Sequence, residues 1–74
     1  MEQEILAILQ DINPYAEITA ASMLLEEDIL DSIEIALLME ELEAKFKITI
    51  PFDSVRKEDF QTIGSIIKLV TALQ

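Results

Sequence analysis

Two kinds of side chain in this 74-residue sequence could do chemistry: 15 carboxylates set against 5 bases, and one serine, Ser32, placed where a helix should begin. There is no cysteine and no histidine. Zinc sites built on those ligands, thiol nucleophiles, disulfides and histidine-centred acid/base or triad mechanisms are therefore excluded. Acid/base work by paired carboxylates needs environments that drive the two groups apart in pKa, and in so small a fold most acids stay in water. The acidic run Glu26-Glu27-Asp28-Ile29-Leu30-Asp31 has neither the alternating spacing nor the glycine of a calcium loop. No glycine-rich phosphate cradle and no basic patch for nucleic acid is present. These exclusions predict a protein that is not an enzyme, with no catalytic residue and no dedicated metal site.

Ser32 differs from the carboxylates because its position matters as much as its type. Asp31 is a good N-cap and Glu34, three residues on, completes a capping-box pattern, so a helix is predicted from Ser32 to about Phe46. A phosphoester on a first-turn serine meets unpaired backbone N–H groups and the positive end of the helix dipole. A phosphate-linked group would be well placed there. Serine also fills first-turn and capping positions with no modification at all, so the position by itself leaves both roles open.

The elements that would position Ser32 are helical. One Gly and two Pro in 74 residues, with 51% hydrophobic residues, favour helices over strands and folding over disorder. Ile5, Ile8, Leu9 and Ile12 recur at i, i+3, i+4 and i+7, which predicts an amphipathic first helix that Asn13-Pro14 ends. From Tyr15 to Leu30 no helical period holds, and a long ordered loop is predicted, pinned by Ile18, Met23, Leu24, Leu25, Ile29 and Leu30. In the second helix Ile35, Leu38, Met39, Leu42 and Phe46 make a core stripe. The segment Lys47–Pro51 reads as an extended connector that docks Ile48 and Ile50, and Glu58-Asp59-Phe60 as a short helical turn with Phe60 inward. Thr62 caps a last helix built on Ile63, Ile66, Ile67 and Val70. The predicted fold is all-α, a small four-helix bundle of three longer helices plus one short helical turn, in one domain spanning residues 1–74 with a long loop between the first two helices.

The net charge of −10 is unevenly placed: residues 1–46 carry 12 acids and one base, whereas residues 47–74 carry three acids and four bases. Between Glu26 and Glu43 there are eight acids and no base. That field repels nucleic acid and anionic lipid and favours basic protein partners. No apolar run approaches the roughly 18 residues of a membrane span, and MEQEILAILQ lacks the pattern of an export signal, so a cytoplasmic protein is expected. A second observation adds recognition to the charge. Ile33, Ala36 and Leu37 follow helical spacing off the core stripe, on the side shared with Ser32, Glu40 and Glu41. A small bundle does not easily bury two broad faces of one helix, so this strip is predicted to be partly exposed and to dock partners. Burial of Ile33 or Leu37 under the long loop is the competing expectation.

Taken together, these residues resemble a known family. Leu24-Leu25-Glu26-Glu27-Asp28-Ile29-Leu30-Asp31-Ser32-Ile33, then Leu38 through Pro51, then Asp59-Phe60-Gln61-Thr62-Ile63, are similar to an acyl carrier protein over nearly the whole chain. The resemblance implies that Ser32, preceded by the matching Asp31, carries a covalent 4′-phosphopantetheine from CoA, whose thiol holds acyl or aminoacyl groups as thioesters. It implies a phosphopantetheinyl transferase and acyl- or aminoacyl-loading and acyl-processing enzymes with basic docking surfaces as partners. It also implies that Ile33, Ala36, Leu37, Glu40 and Glu41 lie on the face those partners read. Ile33 stands where leucine is usual, and no glycine precedes Asp31-Ser32. The stretch Ile29–Ser32 is similar to freestanding carriers of the D-alanyl or secondary-metabolic type. The residues alone also fit a small acidic interaction module without a prosthetic group. A homodimer through the same strip is disfavoured, since it would bring Glu40 and Glu41 against their symmetry mates.

Overall fold

A computed structural model describes all 74 residues, and every regular element in it is helical: α1 (Glu2–Ile12), α2 (Ser32–Phe46), a 3₁₀ turn (Lys57–Phe60) and α3 (Ile63–Leu73). The order and extents match those expected from periodicity and caps. α1 buries Ile5, Ile8 and Leu9, and at its end Asn13 donates from its backbone N–H to the Leu9 carbonyl before Pro14. α3 begins at a closed capping box, with the Ser65 N–H donating to Thr62 Oγ1 (3.1 Å) and the Thr62 N–H to Ser65 Oγ (2.9 Å). It buries Ile63, Ile66 and Val70. The main backbone contacts run from α1 to both α2 and α3, and from the 3₁₀ turn to α3.

Sixteen apolar residues form one core, and four of them come from the loop between α1 and α2: Ile18, Leu24, Ile29 and Leu30. Hydrogen bonds hold that loop as well. Asn13 Nδ2 donates to the Ile29 carbonyl (3.0 Å), joining the two ends of the loop. The Leu24 carbonyl accepts from both Ile29 and Leu30 (2.9 and 3.0 Å). The Leu24 N–H donates to the Gln61 carbonyl (2.8 Å), so the approach to α2 is fastened to the residue that follows the 3₁₀ turn. Asp28 takes the left-handed conformation at φ 56, a conformation glycine adopts freely and Asp tolerates. That is how the loop turns toward Asp31-Ser32 without the glycine noted as missing from the sequence.

Two expectations need adjustment. Ile35 and Phe46, placed at the ends of the α2 core stripe, are half-buried, while Leu38, Met39 and Leu42 are buried as expected. Ile35 falls short because the element opposite it, the 3₁₀ turn, packs on α3 and leaves an opening beside α2. Most acids are expected to stay in water, and Glu43 is an exception: it is half-buried and its Oε2 accepts the Ile50 N–H (2.8 Å). It fixes the connector after α2, where Lys47 caps the helix in the left-handed conformation (φ 54) and Ile48 and Ile50 reach the core. No helix is long and apolar enough to cross a membrane.

Candidate functional site

The N-terminus of α2 is where a buried loop delivers an exposed hydroxyl. Asp31 is extended (φ −104, ψ −175) and its Oδ1 accepts the Glu34 N–H at 2.8 Å, while Glu34 Oε1 accepts the Asp31 N–H at 3.1 Å. The capping box is complete without the next residue. Ser32 is exposed, opens the helix, and its side chain makes no hydrogen bond. Of the two roles open to this serine, capping is thus already taken by Asp31. Its hydroxyl remains free for something else.

Beside Ser32 runs a groove of about 300 Å³. Ser32, Ile35, Ala36 and Met39 form its α2 wall. Phe52, Val55 and Phe60 face them, and Arg56 and Lys57 stand on the same side. Both cations are exposed and neither joins an ion pair; the chain's one ion pair links the N-terminal ammonium to Glu4 at 3.3 Å. On the other flank of α2, Leu37 and Glu41 meet Ile8, Asp11 and Ile12 of α1 around a second cleft of about 270 Å³.

A family model described as "Phosphopantetheine attachment site" matches residues 3–70. The chain belongs to that family. Comparison with curated proteins and with solved structures gave no match. As a phosphopantetheine carrier the protein binds covalently attached 4′-phosphopantetheine and is a carrier, not a catalyst. Its partners are a phosphopantetheinyl transferase and biosynthetic enzymes. The α2 N-terminus suits such a group on three counts: a hydroxyl with no competing bond, the positive end of a 15-residue helix, and two unpaired cations across the groove. Against them stand Asp31 and Glu34, whose carboxylates are already engaged by backbone N–H groups.

All seven residues singled out from the sequence are surface-accessible, and Ile33, Ala36, Leu37, Glu40 and Glu41 recur at helical spacing along the exposed side of α2. Asp31 and Ser32 are neighbours at the helix start, and Ala36 lines the groove with Ser32. Leu37 and Glu41 line the opposite cleft. Ile33 is 73% exposed and Leu37 47%, so neither is tucked under the loop. Glu40 is exposed as well. Sequence reasoning missed Phe52, which is 75% exposed on the groove, and the pair Arg56-Lys57. The signal for the pair was present: two adjacent bases out of five, in a chain of net charge −10, within a few residues of a proline-stopped connector.

Proposed function

We propose that Ser32 is the attachment residue, and that the protein presents acyl or aminoacyl groups, held as thioesters on its phosphopantetheine, to successive biosynthetic enzymes. The observation that carries this reading is the free, exposed Ser32 hydroxyl beside a helix cap that Asp31 and Glu34 complete without it. In attachment the Ser32 oxygen bonds to the phosphorus of CoA's phosphopantetheine and the phosphoanhydride bond to the nucleotide breaks. Adenosine 3′,5′-bisphosphate leaves, and a base of the transferase takes the hydroxyl proton. When bound, the group supplies a thiol, the nucleophile this cysteine-free chain lacks.

The chain's own residues do the presenting. Asp31 and Glu34 fix the first turn so that the group leaves the protein from a rigid point. Ile33 and Leu37, exposed beside Glu40 and Glu41, form the face on which enzymes with basic docking surfaces settle. Residues 1–74 act as one domain, a view supported by the single core drawn from every element, and as a monomer.

Intact-mass measurement after incubation with CoA and a broad-specificity phosphopantetheinyl transferase tests the assignment. One phosphopantetheinyl group should be gained by the wild type and none by Ser32→Ala, whose melting curve should be unchanged because the hydroxyl has no partner to lose. An equal gain in Ser32→Ala would move the attachment point elsewhere and overturn the reading.

A further inference from the structure

The groove beside Ser32 combines features that limit what can occupy it. Its volume of about 300 Å³ lies at the low end of the roughly 300–1,000 Å³ of small-molecule sites, and at about 30 Å³ per water-sized group it holds on the order of ten such groups. A short acyl chain is enough to cover its apolar walls. Its walls at Ile35, Met39 and Phe60 are apolar, so they favour methylenes over water. Its only charged lining residues are Arg56 and Lys57. Two like charges stand side by side here with no ion-pair partner, in a chain that has three times as many acids as bases. Asp59, two residues beyond Lys57, accepts the Arg56 backbone N–H at 2.9 Å and caps the 3₁₀ turn. Asp53 and Glu58 flank the pair in sequence and do not line the groove.

We infer that this groove selects the cargo: it takes a short acyl chain ending in a carboxylate, with the methylenes against the apolar walls and the carboxylate between Arg56 and Lys57. The inference rests on Ser32 as the attachment residue and narrows the cargo class of that reading. Charge complementarity decides among the candidates. An aminoacyl cargo would bring its ammonium to two cations, and a neutral cargo would gain nothing from them, since both are exposed and solvated. A carboxylate forms charge-assisted hydrogen bonds with them, in a fork geometry that a guanidinium matches. Arg56 and Lys57 are therefore specificity-determining residues that act on the cargo without reacting with it.

The test compares the carrier loaded at Ser32 with three short chains, glutaryl, butyryl and β-alanyl, each transferred intact from its CoA thioester, and with the bare phosphopantetheine form. Intact mass first confirms loading, so a failure of attachment is separated from a failure of selection. Backbone amide shifts of Ala36 and Met39 and the Arg56 side-chain N–H then report occupancy. The glutaryl form alone should move these signals, and the docked fraction should fall about two- to fivefold in the Arg56→Gln/Lys57→Gln double variant, the range an exposed ion pair supplies. Lys68→Gln, on α3 and away from the groove, should leave the shifts intact. Equal shifts in all three loaded forms would overturn selection by charge. The same shifts in the bare form would assign the cations to the phosphate of the arm instead, and loading without any shift would overturn occupancy of the groove.

Discussion

The two flanks of α2 are built from the same materials and charged in opposite senses. On the side of the 3₁₀ turn, apolar walls end in Arg56 and Lys57; on the side of α1, Ile8, Ile12 and Leu37 are bracketed by Asp11 and Glu41. Ser32 belongs only to the first. A helix of 15 residues thus separates a cationic groove next to the proposed attachment point from an anionic face open to basic proteins. On the proposed reading a single acidic helix would keep cargo and partner recognition apart: its sequence supplies the acids, and the cations arrive from a different element across the groove.

Removing the floor of one flank should have the largest effect. Phe60 is 2% exposed, is the largest fully buried side chain, and faces both the core and the groove. Phe60→Ala should cost about 3–5 kcal/mol in urea unfolding, a large part of the stability a domain of this size has. A cost under about 1 kcal/mol would mean that the groove side is not tied to the core, and the comparison of two well-formed flanks would fail.

The next effect lies at the helix start that both flanks share. Asp31→Ala removes the acceptor of the Glu34 N–H and should destabilise by about 0.5–2 kcal/mol. Ser32→Ala, one residue on, should leave stability where it was while abolishing attachment. The two variants divide structure from function at adjacent positions. If Ser32→Ala destabilised as much as Asp31→Ala, the serine would be serving the cap after all.

How much of this could be read from the residues varies along the chain. The helices were legible because Ile5, Leu9, Leu38, Leu42, Ile66 and Val70 repeat at helical spacing and because Asp31 and Thr62 mark their starts. Ser32 was legible as a position and the Asp31-Glu34 capping box as a pattern, yet the free hydroxyl was not, since only geometry shows that the closed box leaves Ser32 without a bond of its own. Ile35 packs against the core yet stays half-buried, a difference periodicity does not report, since it gives the face a residue shares and not what stands opposite. The role of Glu43 was not legible because the need it meets, an acceptor for the Ile50 N–H, arises seven residues later in an irregular segment. Arg56 and Lys57 stood out in the sequence as an adjacent pair of bases, but that they line the same groove as Ser32 was not legible, because it depends on the tertiary placement of the 3₁₀ turn, packed on α3 and followed by the Gln61 carbonyl that accepts the Leu24 N–H.

A charge reversal on the α1 side should touch association and spare the fold. Glu41 is exposed, makes no hydrogen bond or ion pair, and lines the anionic cleft. Glu41→Lys should slow association with a phosphopantetheinyl transferase severalfold at low ionic strength, through the on-rate and with the melting temperature nearly constant. The matched reversal Lys57→Glu, on the other flank, should have the smaller effect on that on-rate. Stopped-flow measurements of the two variants would show whether the partner reads one flank or both; equal slowing would merge the faces that the structure separates.

The smallest effect comes from the whole charge distribution. Eight acids between Glu26 and Glu43 have no base among them, and the only ion pair in the molecule lies at the N-terminus. No three acidic side chains converge to hold a metal ion, so the repulsion is diffuse and exposed, the kind that salt screens over a Debye length of about 10 Å at 0.1 M. Raising the salt concentration from a few millimolar to 0.1 M should therefore stabilise the fold by a few tenths of a kcal/mol, about 2–4 °C in melting temperature for a domain of this size. The sign follows because the folded state holds these charges closer together than the unfolded chain does, so screening relieves the folded state more. Glu41→Lys should shrink the salt response by lowering the net negative charge, whereas Lys57→Glu should enlarge it. A melting temperature that does not change with salt in any of the three proteins would show that the acidic flank stores no repulsion, and its acids would then count for recognition alone.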